Sequence, residues 1–133
     1  MSLYIDASAM LKLYLEEPES AVCEEIMVAV PAWLTGRHTV VEVRRNLSRL
    51  LDGQALAAAR REFESDWRRT TIIELDATTC RHAAEIAEVT GVRSLDALHL
   101  GAARRIGSGL SFLTFDLRQA QAARSLGWTV LGA

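Results

Sequence analysis

Leu3, Tyr4 and Ile5 make an apolar run too short for a helix, and the run stops on Asp6. Residues 7–13, ASAMLKL, then favour a helix through their Ala, Met, Leu and Lys content. A buried strand that ends on a carboxylate and turns into a helix sets that carboxylate at the C-terminal edge of a sheet. Open α/β sheets bind their ligands at that edge. The pattern returns near the other end of the chain, where residues 110–115 read as a strand, Asp116 follows, and residues 117–126 read as a helix. Two strand-end acids in a parallel sheet share one edge.

The intervening sequence keeps the alternation. Ser20 reads as an N-cap for a helix over 21–30, ended by Pro31, and 32–35 is a short strand. Gly36 permits a turn into a helix over 38–51 with Val40, Val43, Leu47, Leu50 and Leu51 as its apolar stripe. Asp52-Gly53 is a turn before a helix over 55–69, and 71–75 is β-prone. Asp76 reads as the cap of a helix over 77–89 that ends at Gly91, and Ser94 as the cap of a helix over 95–106. Residues 128–131 form a last short strand. This order predicts an α/β protein, one domain over 1–133, with a mostly parallel central sheet and helices on both faces.

No apolar run approaches the ~20 residues of a membrane span, and the N-terminus lacks a basic region followed by an apolar core. A cytoplasmic protein with no membrane contact is the expectation. Cys23 and Cys80 have neither zinc-site spacing nor the density of a disulfide scaffold, and both are expected to pack. The formal charge is −2; Lys12 is the only lysine and the other fourteen cationic side chains are arginines. A net-acidic chain lacks the broad basic field of a non-specific nucleic-acid binder, so any nucleic acid would be met by local arginines or by bound metal.

Of the six aspartates, Asp52 sits in a turn, Asp66 on a charged helix and Asp76 at a cap. Asp6 and Asp116 stand directly after apolar strands, and Asp96 lies in the first turn of a helix, whose positive end favours an anion. Each also has a local reading, as a cap for Asp6 and Asp116 and as a dipole complement for Asp96. Glu42 falls on the polar side of its helix with Arg45, Asn46 and Arg49, where a solvated ion pair is the natural reading. Crowded carboxylates repel unless a cation is present. Oxygen ligands without a Cys/His cluster suit Mg²⁺ or Mn²⁺, ions that activate water and stabilise charge on a phosphoryl group.

The segments YIDASAMLKLYLEE, HTVVEVRRNL, RSLDALHLGAARRIG and LSFLTFDLRQAQAARSLGWTVL together resemble a PIN domain, and their order is similar to that of VapC-type ribonuclease toxins of prokaryotic toxin–antitoxin pairs. The resemblance implies an acidic quartet at Asp6, Glu42, Asp96 and Asp116, supported by the hydroxyls of Ser8 and Thr114. It implies a Mg²⁺- or Mn²⁺-dependent endoribonuclease that attacks an RNA phosphodiester with metal-activated water. A homodimer and inhibition by a VapB-like antitoxin are implied as well. Gly36 stands where the family often has a serine. Gly101 replaces a usual alanine, for an expected cost of ~1 kcal/mol.

His99, three residues after Asp96, is expected to pack or to support the site rather than touch phosphate, and His38 and His82 to lie on helix surfaces. Arg93 and Arg118 flank the acids and suit either RNA backbone or a surface ion pair. Trp33, Trp67 and Trp128 are expected in the core or an interface. Phosphoaspartyl chemistry is disfavoured because it needs a lysine late in the chain. A competing non-enzymatic reading is a catalytically silent module whose acidic pocket docks a basic partner peptide.

Overall fold

A computed structural model describes residues 1–133. The elements run β1 (Ser2–Ile5), α1 (Ala7–Leu11), α2 (Ser20–Ala29), β2 (Trp33–Gly36), α3 (Thr39–Leu50), α4 (Gly53–Arg68), β3 (Thr71–Ile73), α5 (Ala77–Thr90), α6 (Ser94–Arg104), β4 (Leu110–Thr114), α7 (Leu117–Ser125) and β5 (Thr129–Gly132). The five strands form one all-parallel sheet in the order β3-β2-β1-β4-β5. The alternation read from the sequence is therefore the fold.

Strand periodicity divides the core. Leu3 and Ile5 point into one apolar layer with Met10, Met27, Val43, Leu47 and Phe63, so α1 to α4 cover that face. Tyr4 points the other way and joins Ile86, Leu100, Phe112, Ala122 and Ala123, so α5 to α7 cover the second face. Tyr4 stacks on Phe112 at 5.0 Å between ring centroids. Trp33 is buried and its Nε1–H donates to the Met27 carbonyl at 2.9 Å. Trp67 and Trp128 pack at the margins of the two layers.

Several local expectations change. Ser20 is the first residue of α2 rather than its cap; its hydroxyl donates to the Leu15 carbonyl at 2.8 Å and accepts from the Glu17 N–H at 3.0 Å. Ser94 likewise begins α6, behind Arg93 at the cap. Asp76 does cap α5, accepting from the Thr79 N–H at 3.0 Å, and Gly91 ends that helix at φ 75°. Cys23 is buried, whereas Cys80 is exposed and belongs to neither layer. Gly101 is required rather than tolerated: a Cβ there would meet the backbone N of Ala83 and O of Thr79, both at 2.8 Å. The close approach of α5 and α6 depends on its missing side chain.

Strand order reverses between β1 and β4, because the chain grows outward from β1 on one side and from β4 on the other. That switch point opens a crevice at the C-terminal strand ends. Asp6 follows β1 and Asp116 lies two residues beyond the end of β4.

Candidate active site

Asp6 is almost fully buried at the crevice floor, and the groups that donate to its carboxylate are local or on β4. Oδ1 accepts from the Ser8 hydroxyl at 2.7 Å and the Ala9 N–H at 3.1 Å, and Oδ2 accepts from the Thr114 hydroxyl at 2.5 Å. The cap and the site are thus one carboxylate. Burial pushes its pKa above the usual carboxylate range despite these donors. Ser8 and Thr114 also brace the opposite wall: Ser8 Oγ accepts from the Phe115 N–H and Thr114 Oγ1 from the Asp116 N–H, each at 3.1 Å.

Asp116 is exposed and caps α7 through Oδ1, which accepts from the N–H groups of Arg118 at 2.8 Å and Gln119 at 3.2 Å. Its local reading is correct, and it still faces the crevice. Asp96, half-buried in the first turn of α6, has a raised pKa because burial acts together with the charges of Asp116 and Glu42. Gln119 fixes α6 against α7 by donating its Nε2–H to the Asp96 carbonyl at 3.1 Å.

Glu42 does not lie in a solvated pair with Arg45. Its Oε1 is 2.8 Å from His99 Nε2, and His99 Nδ1 is 2.9 Å from the Tyr4 hydroxyl. A carboxylate only accepts, so His99 Nε2–H donates a hydrogen bond to an ionised Glu42, and the Tyr4 hydroxyl then donates to Nδ1. Burial raises the Glu42 pKa and lowers that of His99 to about 4, keeping the imidazole neutral. His99 thus joins Tyr4 to Glu42 and also lines the cavity.

One cavity of about 200 Å³ is lined by Asp6, Glu42, Asp96 and Asp116 together with Ser8, Asn46 and His99. The four acids expected to meet do meet. Thr114 acts from behind the lining, through Asp6 and Asp116. The donors facing this cavity are mainly hard oxygen atoms with no thiol, a set that fits Mg²⁺ or Mn²⁺. Arg93 and Arg118 border an adjoining groove with Asp96 and Asp116, and their charges partly offset the repulsion on Asp96.

His38 overturns its expected surface position. It is 7% exposed, lies 4.0 Å from the His99 ring between centroids, and occupies the space left by Gly36. A Cβ at Gly36 would meet His38 Cε1 at 2.6 Å. His82 is half-buried, with its Nδ1 enclosed and unpartnered. Sequence reasoning also missed Tyr4, whose hydroxyl ends the apolar β1 pattern in a polar contact, and Asn46, one turn beyond Glu42. The signal for Asn46 was its shared helix face with Glu42.

Comparison with known proteins identifies the family. The PIN domain family model aligns with residues 3–125. Ribonuclease VapC49 of Mycobacterium tuberculosis is 34% identical, over 98% of this chain and 95% of the relative. Ribonuclease VapC46 of the same organism is 32% identical, over 98% and 96%. The chain belongs to the PIN-domain family, in its VapC branch. Among solved structures, FitAcB from Neisseria gonorrhoeae superposes with a TM-score of 0.75 at 19% identity, covering 96% of this chain and 95% of that one. The sarcin–ricin loop cleaving toxin VapC20 of M. tuberculosis also gives 0.75, at 17% identity and 96% coverage of both chains.

Proposed function

We propose that this chain is a Mg²⁺- or Mn²⁺-dependent endoribonuclease of the VapC type. The convergence of Asp6, Glu42, Asp96 and Asp116 on one cavity at the switch point carries the reading. Relatives that share a third of its sequence over nearly their whole length are named ribonucleases, which supports the same activity here.

Asp6, Asp96 and Asp116, with Glu42, would hold the divalent ion, which when bound supplies an acidified water and polarises a phosphoryl oxygen. Asp6 is held by two hydroxyls and a backbone N–H, so its oxygens stay in place as charge develops on the phosphate. Asp96 gains most from a cation, because its two acidic neighbours otherwise oppose its ionisation. Glu42, oriented by His99, accepts a proton or orients water at the cavity wall. Arg93 and Arg118 take the RNA backbone beside the reacting phosphate.

The partner is a VapB-like antitoxin that covers the acidic cavity with a basic residue, and the active form is a homodimer in the cytoplasm. Similar folds have been solved as toxin–antitoxin complexes, including VapBC2 from Rickettsia felis bound to promoter DNA, which supports the partner assignment. The experiment is incubation of partner-free protein with total RNA, with Mn²⁺ and with excess chelator. Discrete fragments that need metal are expected. Intact RNA under both conditions, together with capture of a basic peptide, would instead support the silent docking module.

A further inference from the structure

His38 is a buried imidazole whose ring nitrogens make no well-formed hydrogen bond, with the Leu95 backbone and Glu42 as their polar neighbours. A buried polar group left unpaired is costly, and such groups in native proteins call for an explanation. Its Nε2 is 3.7 Å from Glu42 Oε1, the same oxygen that His99 Nε2 approaches at 2.8 Å. The donor atoms of His38, Glu42 and His99 all lie within 4.8 Å of one another. Tetrahedral coordination with bonds of ~2.0 Å puts neighbouring donors roughly 3.3 Å apart, a spacing that the two measured separations bracket. We propose that His38, Glu42 and His99 bind a zinc-class transition-metal ion beside the acidic cluster, with which the site shares Glu42.

The chemistry of the three donors selects the ion. Two imidazoles and one carboxylate suit Zn²⁺, Co²⁺ or Ni²⁺, whereas Mg²⁺ prefers an all-oxygen shell. Both imidazoles are buried, and the neutral ring is the form that ligates. Tyr4 supplies the outer contact: when Nε2 of His99 takes the metal, its proton sits on Nδ1 and the Tyr4 oxygen accepts it. Glu42 and His99 both line the acidic cavity, which gives an ion a route to these two donors. Gly36 is part of the design, because a side chain there would occupy the place of the His38 ring.

Glu42 is shared with the acidic quartet. A zinc-class ion held by the histidines therefore engages one of the four acids. Binding itself does not depend on the ribonuclease reading, and it is measured without RNA.

The test uses the whole chain and two probes, Zn²⁺ and Co²⁺. The three histidines are few enough for each imidazole to be followed by nitrogen-15 NMR. Zn²⁺ should move the Nε2 signals of His38 and His99, leave His82 in place, and do so in the presence of excess Mg²⁺. Co²⁺ added in the presence of excess Mg²⁺ should give visible absorption, with an affinity at least tenfold weaker in His38→Leu. Zinc-induced shifts at His82 alone, no shift at any histidine, or equal Co²⁺ affinity in His38→Leu would each overturn the proposal. The NMR experiment stands on the unmodified chain, so it decides the question even if His38→Leu fails to fold.

Discussion

The Thr114 hydroxyl donates to Asp6 Oδ2 at 2.5 Å and ties the end of β4 to the residue that follows β1. It closes the switch point with a side-chain bond where the main-chain ladder runs out, and it aims a buried carboxylate into the cavity. Thr114→Val keeps the shape and removes the donor. An unsatisfied buried acceptor costs about 1–3 kcal/mol. Chemical denaturation should show a loss of that size, and calorimetric titration should show weaker Mn²⁺ binding. Unchanged Mn²⁺ affinity would reduce Thr114 to a packing residue.

Asp96 is the acid most opposed by its neighbours, since burial, Asp116 and Glu42 all raise its pKa. Asp96→Asn removes one charge from that set. Stability in chelator should therefore be equal or higher, while the rise in Tm with added Mn²⁺ should shrink or vanish. A large loss of metal-free stability would mark Asp96 as a structural element of the α6 N-terminus.

Burial of His38 and His99 weakens the fold in acid. His38 and His99 titrate near 6.5 when unfolded and at about 4 when folded. Between those values the unfolded chain binds more protons, so stability falls as pH drops from 6.5 toward 4 and levels off below. The raised acids Asp6, Glu42 and Asp96 act in the opposite sense, because the folded state takes up their protons first. Comparing His38→Leu with the wild type isolates one histidine. Urea unfolding between pH 4 and 6.5 should give a shallower decline in the variant, by up to about one proton. Parallel curves would mean that His38 titrates normally.

Gly101→Ala sets helix propensity against packing. Alanine gains about 1 kcal/mol in a helix interior. Its Cβ, however, would press on rigid backbone atoms of α5 at 2.8 Å. Overpacking typically costs about 1–3 kcal/mol, so the variant should be net destabilised and its thermal midpoint lowered. A stabilised variant would show that α5 and α6 separate freely.

The sequence made the layout of the fold legible because the strands are short and mainly apolar, and each of the first four is followed by a helix signal. Asp6 and Asp116 were legible as strand-end acids, and their capping bonds did not compete with the site, since one carboxylate has acceptors enough for both. Glu42 was hidden by its helix. The polar face of α3 reads as a solvated face, yet part of it lines the cavity and meets His99 from α6, a contact between positions that no local pattern links. His38 was hidden for a related reason: its burial depends on the absence of a side chain at Gly36, and a missing atom leaves no signal in periodicity. Gly101 shows the same limit, because the penalty for alanine lies in a different helix.

The central claim is that four acids from four parts of the chain make one metal-dependent nuclease centre. It is tested most directly by Mn²⁺-dependent RNA cleavage by the wild type, Asp6→Asn and Asp96→Asn, purified identically and confirmed folded by circular dichroism. The account predicts discrete fragments from the wild type, abolished by chelator, and a loss of at least about a hundredfold in each variant. Cleavage at wild-type rate by either folded variant would contradict it.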